Sequence, residues 1–475
     1  MAIIKALFDR SVSGVAEAFG APDIASAEMQ EAIRSWIAEY FRRTPSRESD
    51  PCQRLPYTIV HKLEKGMFAE YASDIQDADS GKGAWMAENL AQLDRVRGEA
   101  MQWMLISGEA WLKPVPCQQA GGMVFRPRLI RRNQAVVLGR GPDGAVTRIG
   151  TSEQTAWENA FYTLLEARTV DASGYLTIKN RLYCSKDSGQ LGAPCDLGTL
   201  PQYKGLPETF VLPRPVGSVG LVPLRTPLAN CVDGSMEAIS IYEPAMGLIH
   251  NINRNEALLN DEYELGRHRI VAPAEMLQIV DQEGRRRVLK DNVFVGVEEY
   301  HAQGAGLTAF SPALRHEAYE ARKQTYLKSI ENVIGMKRGL LSDVQEVEKT
   351  AYEIASTAGD YNLSLIDLQH VWFDAVREYL TLCDTLGQMY RYCDSTAWDV
   401  REQLSISWGN GILYDPDKNW SEILQMVQYE MLRPEIALAW KYDLPWETPE
   451  DLAAIRAKYM PELEDIAREA RERAM

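Results

Sequence analysis

The residues with the clearest capacity for chemistry lie in the stretch NQAVVLGRGPDGAVTRIG, which runs from Asn133 to Gly150. Gly139, Gly141 and Gly144 match the G-x-G-x-x-G spacing of a phosphate-binding loop and follow an apolar run. Such a loop works only if a helix begins directly after the glycines, because main-chain N–H groups at the helix start bind the phosphate. Here a Pro-Asp-Gly turn leads into the alternating sequence AVTRI, which is typical of a strand. The stretch therefore predicts a β-hairpin and no nucleotide site.

Other catalytic patterns are incomplete. The segment VGSVG, Val216 to Gly220, lacks the first glycine of the G-x-S-x-G nucleophile turn and lies near prolines, which favours a loop. Gly81 and Lys82 lack the remaining residues of a Walker loop, and the six histidines show no metal-binding spacing. We therefore expect no enzyme activity, no cofactor and no metal site.

The composition sets wide limits on the class of protein. The chain has 475 residues, 45% of them hydrophobic, so two to four domains are expected. Its formal net charge of −16 argues against a broad basic face that grips nucleic acid. The seven cysteines form no C-x-x-C pair, which indicates reduced thiols in a cytosolic compartment. No segment is apolar enough to predict a membrane span or a secretory signal.

Hydrophobic periodicity divides the first half of the chain into a helical part and a β-rich part. A helix is predicted from Ser26 to Arg43, and another is predicted to end at Gly108. From Ala110 to about Phe210, short β-rich runs separated by Gly, Pro and Asp favour an antiparallel meander.

The second half begins with two helical patterns that flank a small β unit of about forty residues, too small to bury its own apolar surface. The first of these helices is predicted from Ser235 to about Leu265, with a bend at Pro244, and the second from Ser311. Because the β unit is too small to bury its own apolar surface, we expect partner subunits to complete it. The longest helical pattern follows, then a strand signal in QLSISWGNGILYDP and short helices to the end. That long helix is predicted from Glu348 to Tyr392, with a break at Gly359.

The stretch from Arg225 to Pro273 resembles the portal proteins of tailed bacteriophages, in the branch found in many siphophages and prophages of Gram-positive bacteria. In that family a Pro/Asn loop leads to a long helix that ends in an acidic-aromatic stretch, here Pro227, Asn230 and the residues NDEY from Asn260. Further partial matches follow in the family's order along nearly the whole chain, among them IRSWIAEYF, GEAWLKP and EVEKTAYEIASTAGDYN. The chain departs from the family pattern at Tyr352 and in WGNGILYD.

The resemblance implies an α+β portal-like subunit with an α/β wing body, long stem helices, a small inserted β-rich clip, a long kinked tunnel helix and a helical C-terminal crown. The expected segments are the wing (1–234), the first stem helix (235–266), the clip (267–310), the second stem helix (311–335), the tunnel loop with the long helix and the return to the wing (336–418), and the crown (419–475).

The resemblance also implies a function and partners. Portal proteins form a closed ring, usually a dodecamer, at one capsid vertex, and double-stranded DNA passes through it without sequence specificity during packaging and ejection. The expected partners are other copies of the chain, the terminase large subunit, the major capsid and scaffolding proteins and the head–tail adaptor, with no membrane involved. The expected location is the portal vertex of the virion, and the host cytoplasm during assembly.

Two sets of basic residues are candidate contacts under this resemblance. Lys337, Arg338 and Lys349 flank the expected tunnel loop and could contact DNA phosphates, and the alternative is that they are ordinary surface charges. The run Arg285, Arg286 and Arg287, at the expected clip turn, could contact a partner or simply keep a hairpin tip soluble.

Two other functions stay open. One is a different ring-forming virion component, such as an adaptor or tail protein, although such chains are usually shorter and lack the order helix, β unit, helix. The other is an enzyme of unrecognised chemistry, which the lack of a convergent polar motif disfavours.

Overall fold

The computed structural model describes most of the chain. The described residues are 2–42, 51–76, 78–79, 81–119, 121–265, 269–273, 278–280, 286–288, 294–297, 308–310, 313–343, 351–408, 423–424, 426–429, 432–442 and 449–459. Contacts divide the chain into two compact units, Met1–Trp408 and Gly409–Met475. The protein is of the mixed α+β class.

Helices dominate the first hundred residues. α2 begins at Ser26, whose hydroxyl accepts the Met29 N–H at 3.1 Å. The apolar stripe predicted for α2 is buried, which confirms that prediction: Met29, Ile33, Trp36, Ile37 and Tyr40. The five helices are α1 (Ala2–Phe19), α2 (Ala27–Tyr40), α3 (Leu55–Met67), α4 (Gly81–Asp94) and α5 (Arg97–Ser107).

The helix predicted to end at Gly108 is in fact two helices. α4 ends at Asp94, and α5 begins at Arg97 after a short break. Gly108 itself is the C-cap of α5 with a φ of 81°, a left-handed value that glycine adopts without strain. The helical stretch therefore ends at Gly108, as the sequence predicted.

Antiparallel sheets follow α5, as the β-rich pattern predicted. Strands β4 to β8 pair consecutively in a meander, and β9 pairs with β7. A second sheet has the order β10-β2-β3, and β1 pairs with a strand from the end of the first unit. The bounds are β1 (Ala72–Ile75), β2 (Glu109–Gln119), β3 (Gly122–Arg131), β4 (Ala135–Arg140), β5 (Val146–Trp157), β6 (Ala160–Val170), β7 (Leu176–Ser185), β8 (Ala193–Cys195), β9 (Thr209–Val211) and β10 (Val222–Arg225).

The hairpin predicted from the glycine motif is confirmed. β4 and β5 pair antiparallel, with Val137 opposite Ile149. Within the turn, the Gly141 N–H donates to the Ala145 carbonyl at 2.8 Å, and Gly144 has a φ of 79°. A strand follows the glycines and no helix does, so the motif lacks the helix start that would bind a phosphate.

The first long helix starts later than predicted. α6 spans Met246–Leu265, not Ser235 onward, and Pro244 lies in the 3₁₀ turn Glu243–Ala245 directly before it. Proline has no N–H to donate, so it is accommodated at a helix start rather than as a bend inside the helix.

Residues 237–241, which we call the strap, have no regular secondary structure where the sequence predicted helix. The Ile241 N–H donates to the Leu105 carbonyl at 3.0 Å, and the Thr226 hydroxyl donates to the Ile239 carbonyl at 2.6 Å. The Glu237 carboxylate is buried with Arg132 at 3.2 Å and Arg140 at 2.9 Å. These tertiary bonds hold the strap against the sheets and replace the hydrogen bonds of a helix.

A β module lies between α6 and the next helix, α7 (His316–Ile334), which begins later than the predicted Ser311. One sheet of the module has the order β14-β11-β15, with β11 parallel to β14 and antiparallel to β15, and β12 and β13 form an antiparallel pair. Its strands are β11 (Arg269–Pro273), β12 (Gln278–Val280), β13 (Arg286–Val288), β14 (Phe294–Val297) and β15 (Thr308–Phe310).

The longest helix, α8, runs from Ala351 to Tyr390 without interruption, so Gly359 does not break it. Its second half packs in the main core, where Trp372, Val376 and Tyr379 are buried. α9 (Val400–Gln403) and β16 (Leu404–Ser407) complete the first unit, and β16 pairs with β1. The second unit contains α10 (Pro434–Tyr442) and α11 (Pro449–Tyr459).

Candidate functional site

The helices α6 and α7 pack side by side in opposite directions. At the end near the β module, the Arg315 guanidinium binds both oxygens of the Glu262 carboxylate, at 3.0 and 2.6 Å. Further along, Lys323 lies 3.6 Å from Glu256, and the Asn255 amide donates to the Tyr319 carbonyl at 3.0 Å. Apolar residues of both helices join the main core beyond these contacts. The β module is therefore connected to the body through the adjacent ends of one antiparallel helix pair.

A short loop, residues 336–343, follows the opposite end of α7. Gly335 ends the helix in the left-handed conformation with a φ of 77°. The loop then turns at Lys337, whose carbonyl accepts the Leu340 N–H at 3.2 Å. We call residues 336–343 the post-helix loop.

One carboxylate holds the post-helix loop in place. Glu331 is fully buried, and its Oε1 accepts the N–H groups of Gly339 at 3.1 Å, Leu341 at 2.5 Å and Ser342 at 2.9 Å. Its Oε2 accepts the Ser342 hydroxyl at 2.7 Å. Hydrogen bonds to an ionised group are stronger than neutral ones, so this single side chain fixes the path of the loop.

A second contact ties the loop to α7. The Gln324 side-chain amide donates from Nε2 to the Asp343 carboxylate at 2.9 Å, and the Asp343 main-chain N–H donates to the Gln324 Oε1 at 2.9 Å. The second half of the post-helix loop, residues 339–343, is thus bound to side chains of the helix that precedes it.

The candidate DNA contacts Lys337 and Arg338 lie at the start of this loop. Lys337 is half-buried and Arg338 is exposed, directly before the segment that Glu331 binds. Lys349, the third candidate, lies outside the described residues. The structure therefore brings two of the three candidates together, on a loop with a defined conformation.

The candidate partner contacts of the β module are arranged differently from the prediction. Arg286 and Arg287 lie in strand β13, opposite Val280 and Ile279 of β12, rather than in the turn between the strands. Arg285 lies outside the described residues. Strand pairing therefore extends two residues closer to the turn than the sequence indicated, because three consecutive arginines show no alternation that would mark a strand.

Glu331 is the residue that sequence reasoning missed at this site. Its partners are main-chain N–H groups, which every sequence carries, so no motif marks it. The one signal in the sequence is an acidic residue on the apolar stripe of α7, between the buried Leu327 and Ile334.

Within the described residues, no group of three His, Cys, Asp or Glu side chains could hold a metal ion. All seven cysteines are free thiols. No helix in the described part of the chain is both long enough and apolar enough to cross a bilayer.

Comparisons with known proteins give distant structural similarities. No family model matches the chain, and no curated protein sequence does. One similar solved structure is the neck of a native GTA particle computed with C12 symmetry, with a TM-score of 0.40, 12% identity, and coverage of 91% of this chain and 98% of that chain. Another is the neck of an empty GTA particle computed with C6 symmetry, with a TM-score of 0.43, 14% identity and the same two coverages of 91% and 98%. Both TM-scores lie below 0.5, so neither similarity carries weight for fold or function.

Proposed function

We propose that this chain is the subunit of a phage-type portal ring, through which double-stranded DNA is packaged and ejected at one capsid vertex. The observation that carries the proposal is the antiparallel pair α6–α7 with an inserted β module, of which the structure describes five strands, at its end. This arrangement supports the order stem, clip, stem that the sequence resemblance implies. In the proposal, the post-helix loop and α8 are the tunnel segment, and the second unit is the crown.

In this proposal, the ring lets DNA pass through its channel and catalyses no reaction. A ring closes when each subunit carries two complementary faces that repeat around an axis. A dodecamer of chains that each carry −16 has a formal charge of −192, so a duplex finds few places to bind as it moves. Lys337 and Arg338 would supply a narrow ring of positive charge that guides the phosphates through weak, screened contacts.

The proposed partners follow from the same order of elements. The β module would contact the terminase large subunit during packaging and the head–tail adaptor afterwards, with Arg285, Arg286 and Arg287 as candidate contacts. The major capsid and scaffolding proteins would surround the body at the vertex. The assembled particle is the proposed location, after assembly in the host cytoplasm.

The first experiment measures mass and symmetry of the purified full chain by mass photometry and negative-stain class averages. Closed rings of about a dozen subunits with a central hole are the expected result, since heterologous contacts that close give a fixed copy number. A stable monomer or dimer at micromolar concentration would contradict the proposal. Rings that bind tail proteins but neither terminase nor capsid protein would favour an adaptor instead.

A further inference from the structure

A solvent-open cavity of about 600 Å³ lies in the first unit. Its lining residues come from the β2–β3 hairpin, strands β5 to β7, residues 202–212 and the end of α8. Most of them are apolar or aromatic, among them Phe125, Leu176, Tyr203, Leu206, Phe210 and Leu382. A cavity of this volume with mainly apolar walls and a few polar groups is typical of small-molecule sites.

The charged residues of the lining form one connected group with an excess of positive charge. The group contains three cations, Lys113, Arg128 and Arg168, and two carboxylates, Glu153 and Glu166. Lys113 binds both carboxylates. Arg128 lies 2.8 Å from Glu153, and Arg168 lies 3.6 Å from Glu166. Three cations against two carboxylates leave one positive charge without a partner, so the lining attracts a single negative charge.

Arg128 is the cation of this group that a ligand can reach. Its side chain is 47% exposed, whereas those of Lys113 and Arg168 are 13% and 7% exposed. Its Nη1 faces Glu153, and its Nε and Nη2 have no partner among the described residues. These two nitrogens form the edge of a guanidinium that presents two parallel N–H groups. A carboxylate binds such an edge with both of its oxygens.

The charge of the lining and its apolar walls together define the chemistry of a ligand. We propose that the cavity binds a small amphiphilic carboxylate, whose carboxylate pairs with Arg128 and whose apolar body packs against the cavity walls. The carboxylate stays at the solvent-exposed arginine, and the apolar body lies among residues such as Leu206 and Phe210. This site does not rest on the proposed ring or on the post-helix loop.

The arrangement favours a ligand with one negative charge over an uncharged or a doubly charged ligand. A neutral molecule would leave the excess positive charge and the open edge of Arg128 unused. A dianion would bring uncompensated negative charge close to Glu153, which is itself 2% exposed. Burial of the apolar body supplies most of the binding free energy, because water screens an ion pair at a half-exposed arginine.

The test titrates the full chain with octanoate and with 1-octanol, which has the same chain length and no charge, by ligand-observed NMR at pH 7. Octanoate should bind about fivefold more tightly than octanol, the upper end of what an exposed ion pair contributes. Arg128→Gln should remove this difference. The control Arg148→Gln, an exposed arginine on the opposite face of β5 from Glu153, should keep it. Leu206→Trp, which fills the cavity from a half-buried position, should abolish binding of both compounds.

Each other outcome overturns the proposal. Equal binding of octanoate and octanol to the unmodified chain means that the carboxylate is not recognised, and no binding of octanoate means that the cavity takes no such ligand. A preference for octanoate that survives Arg128→Gln, or binding that survives Leu206→Trp, means that the site lies elsewhere. If Leu206→Trp does not fold, octanoate with a photoreactive diazirine at its far end should label residues 202–212 or the end of α8 in the unmodified chain, and labelling elsewhere contradicts the proposal.

Discussion

At the scale of single residues, Glu331 has an uncommon position for a carboxylate. It is fully buried at the end of a helix, and its hydrogen-bond partners are three main-chain N–H groups and the Ser342 hydroxyl. A buried ionised group is stable only when its hydrogen-bonding capacity is met, and here the post-helix loop meets it. The conformation of the loop therefore depends on the Glu331 side chain.

The variant Glu331→Gln tests this dependence. The amide is a weaker acceptor than the carboxylate: with its oxygen at the Oε1 position it keeps the three loop N–H groups, and its N–H₂ then faces the Ser342 hydroxyl, which must turn round to accept. We expect a decrease of about 2–3 kcal/mol in the free energy of unfolding, and faster amide hydrogen exchange in residues 336–343. The exposed Glu317→Gln on the same helix is the control and should change neither. Unchanged exchange in the loop would show that Glu331 does not hold it.

Lys337 and Arg338 allow a test of the DNA interaction. In the assembled ring, the double variant Lys337→Ala/Arg338→Ala should weaken duplex binding. The double variant should also make the plot of log binding constant against log salt concentration less steep, by about one in slope for each phosphate that the ring no longer neutralises. Lys328→Ala, an exposed lysine on α7, is the matched control and should leave the slope unchanged. Equal effects of the two variants would mean that Lys337 and Arg338 are ordinary surface charges.

Glu166 makes stability depend on pH. Burial alone would raise the pKa of Glu166, but the charges of Lys113 and Arg168 outweigh it and hold the pKa at about 2, below the ordinary 4.5. Because the folded state has the lower pKa, ionised Glu166 stabilises the fold above about pH 4.5, and this stabilisation disappears as the pH falls toward 2.

We therefore expect denaturant unfolding to become steadily easier over that acid range, and Glu166→Gln to flatten this dependence while lowering stability at pH 7. The exposed Glu208→Gln should keep the pH profile of the unmodified chain. If the stability of Glu166→Gln falls with pH as steeply as that of the unmodified chain, Glu166 is not the group that causes the pH dependence.

At the scale of elements, local patterns were predictable and tertiary contacts were not. The α2 stripe and the β4–β5 hairpin follow from periodicity and turn chemistry within a few residues. The strap 237–241 carries apolar residues at helical spacing, yet it is not helical, because Leu105 and Thr226 supply hydrogen bonds from distant parts of the chain. The same reason hides Glu331, whose partners are main-chain N–H groups of the post-helix loop.

A pair of glycines tests how tightly the strap is packed. A Cβ at Gly108 would lie 2.4 Å from the Ala238 carbonyl oxygen, and the φ there is 81°. Gly247, in the first turn of α6, has nothing within 4 Å of such an atom. Gly108→Ala should destabilise the chain by more than about 2 kcal/mol, from strain and displacement of the strap. Gly247→Ala should be neutral or stabilise by up to about 1 kcal/mol, and thermal unfolding distinguishes the two.

At the scale of the whole molecule, the net charge of −16 opposes self-association. The screening length is about 30 Å at 0.01 M salt and about 10 Å at 0.1 M, so repulsion between subunits reaches across the ring only in dilute salt. We expect the ring fraction, measured by mass photometry, to rise with salt over this range. A ring fraction that falls with salt would mean that attractive ion pairs dominate the subunit interface.

The inserted β module leaves the body and returns to it at one place, because Glu262 and Arg315 bind each other at the adjacent ends of α6 and α7. We therefore expect that the peptide between these ends can gain or lose residues, or be exchanged for an unrelated sequence, while α6 and α7 keep their geometry. If the insertion contacts partners as proposed, its sequence can change with those partners while the body remains under separate constraint. Replacing residues 266–314 by a short glycine-rich turn should accordingly yield a body that still folds.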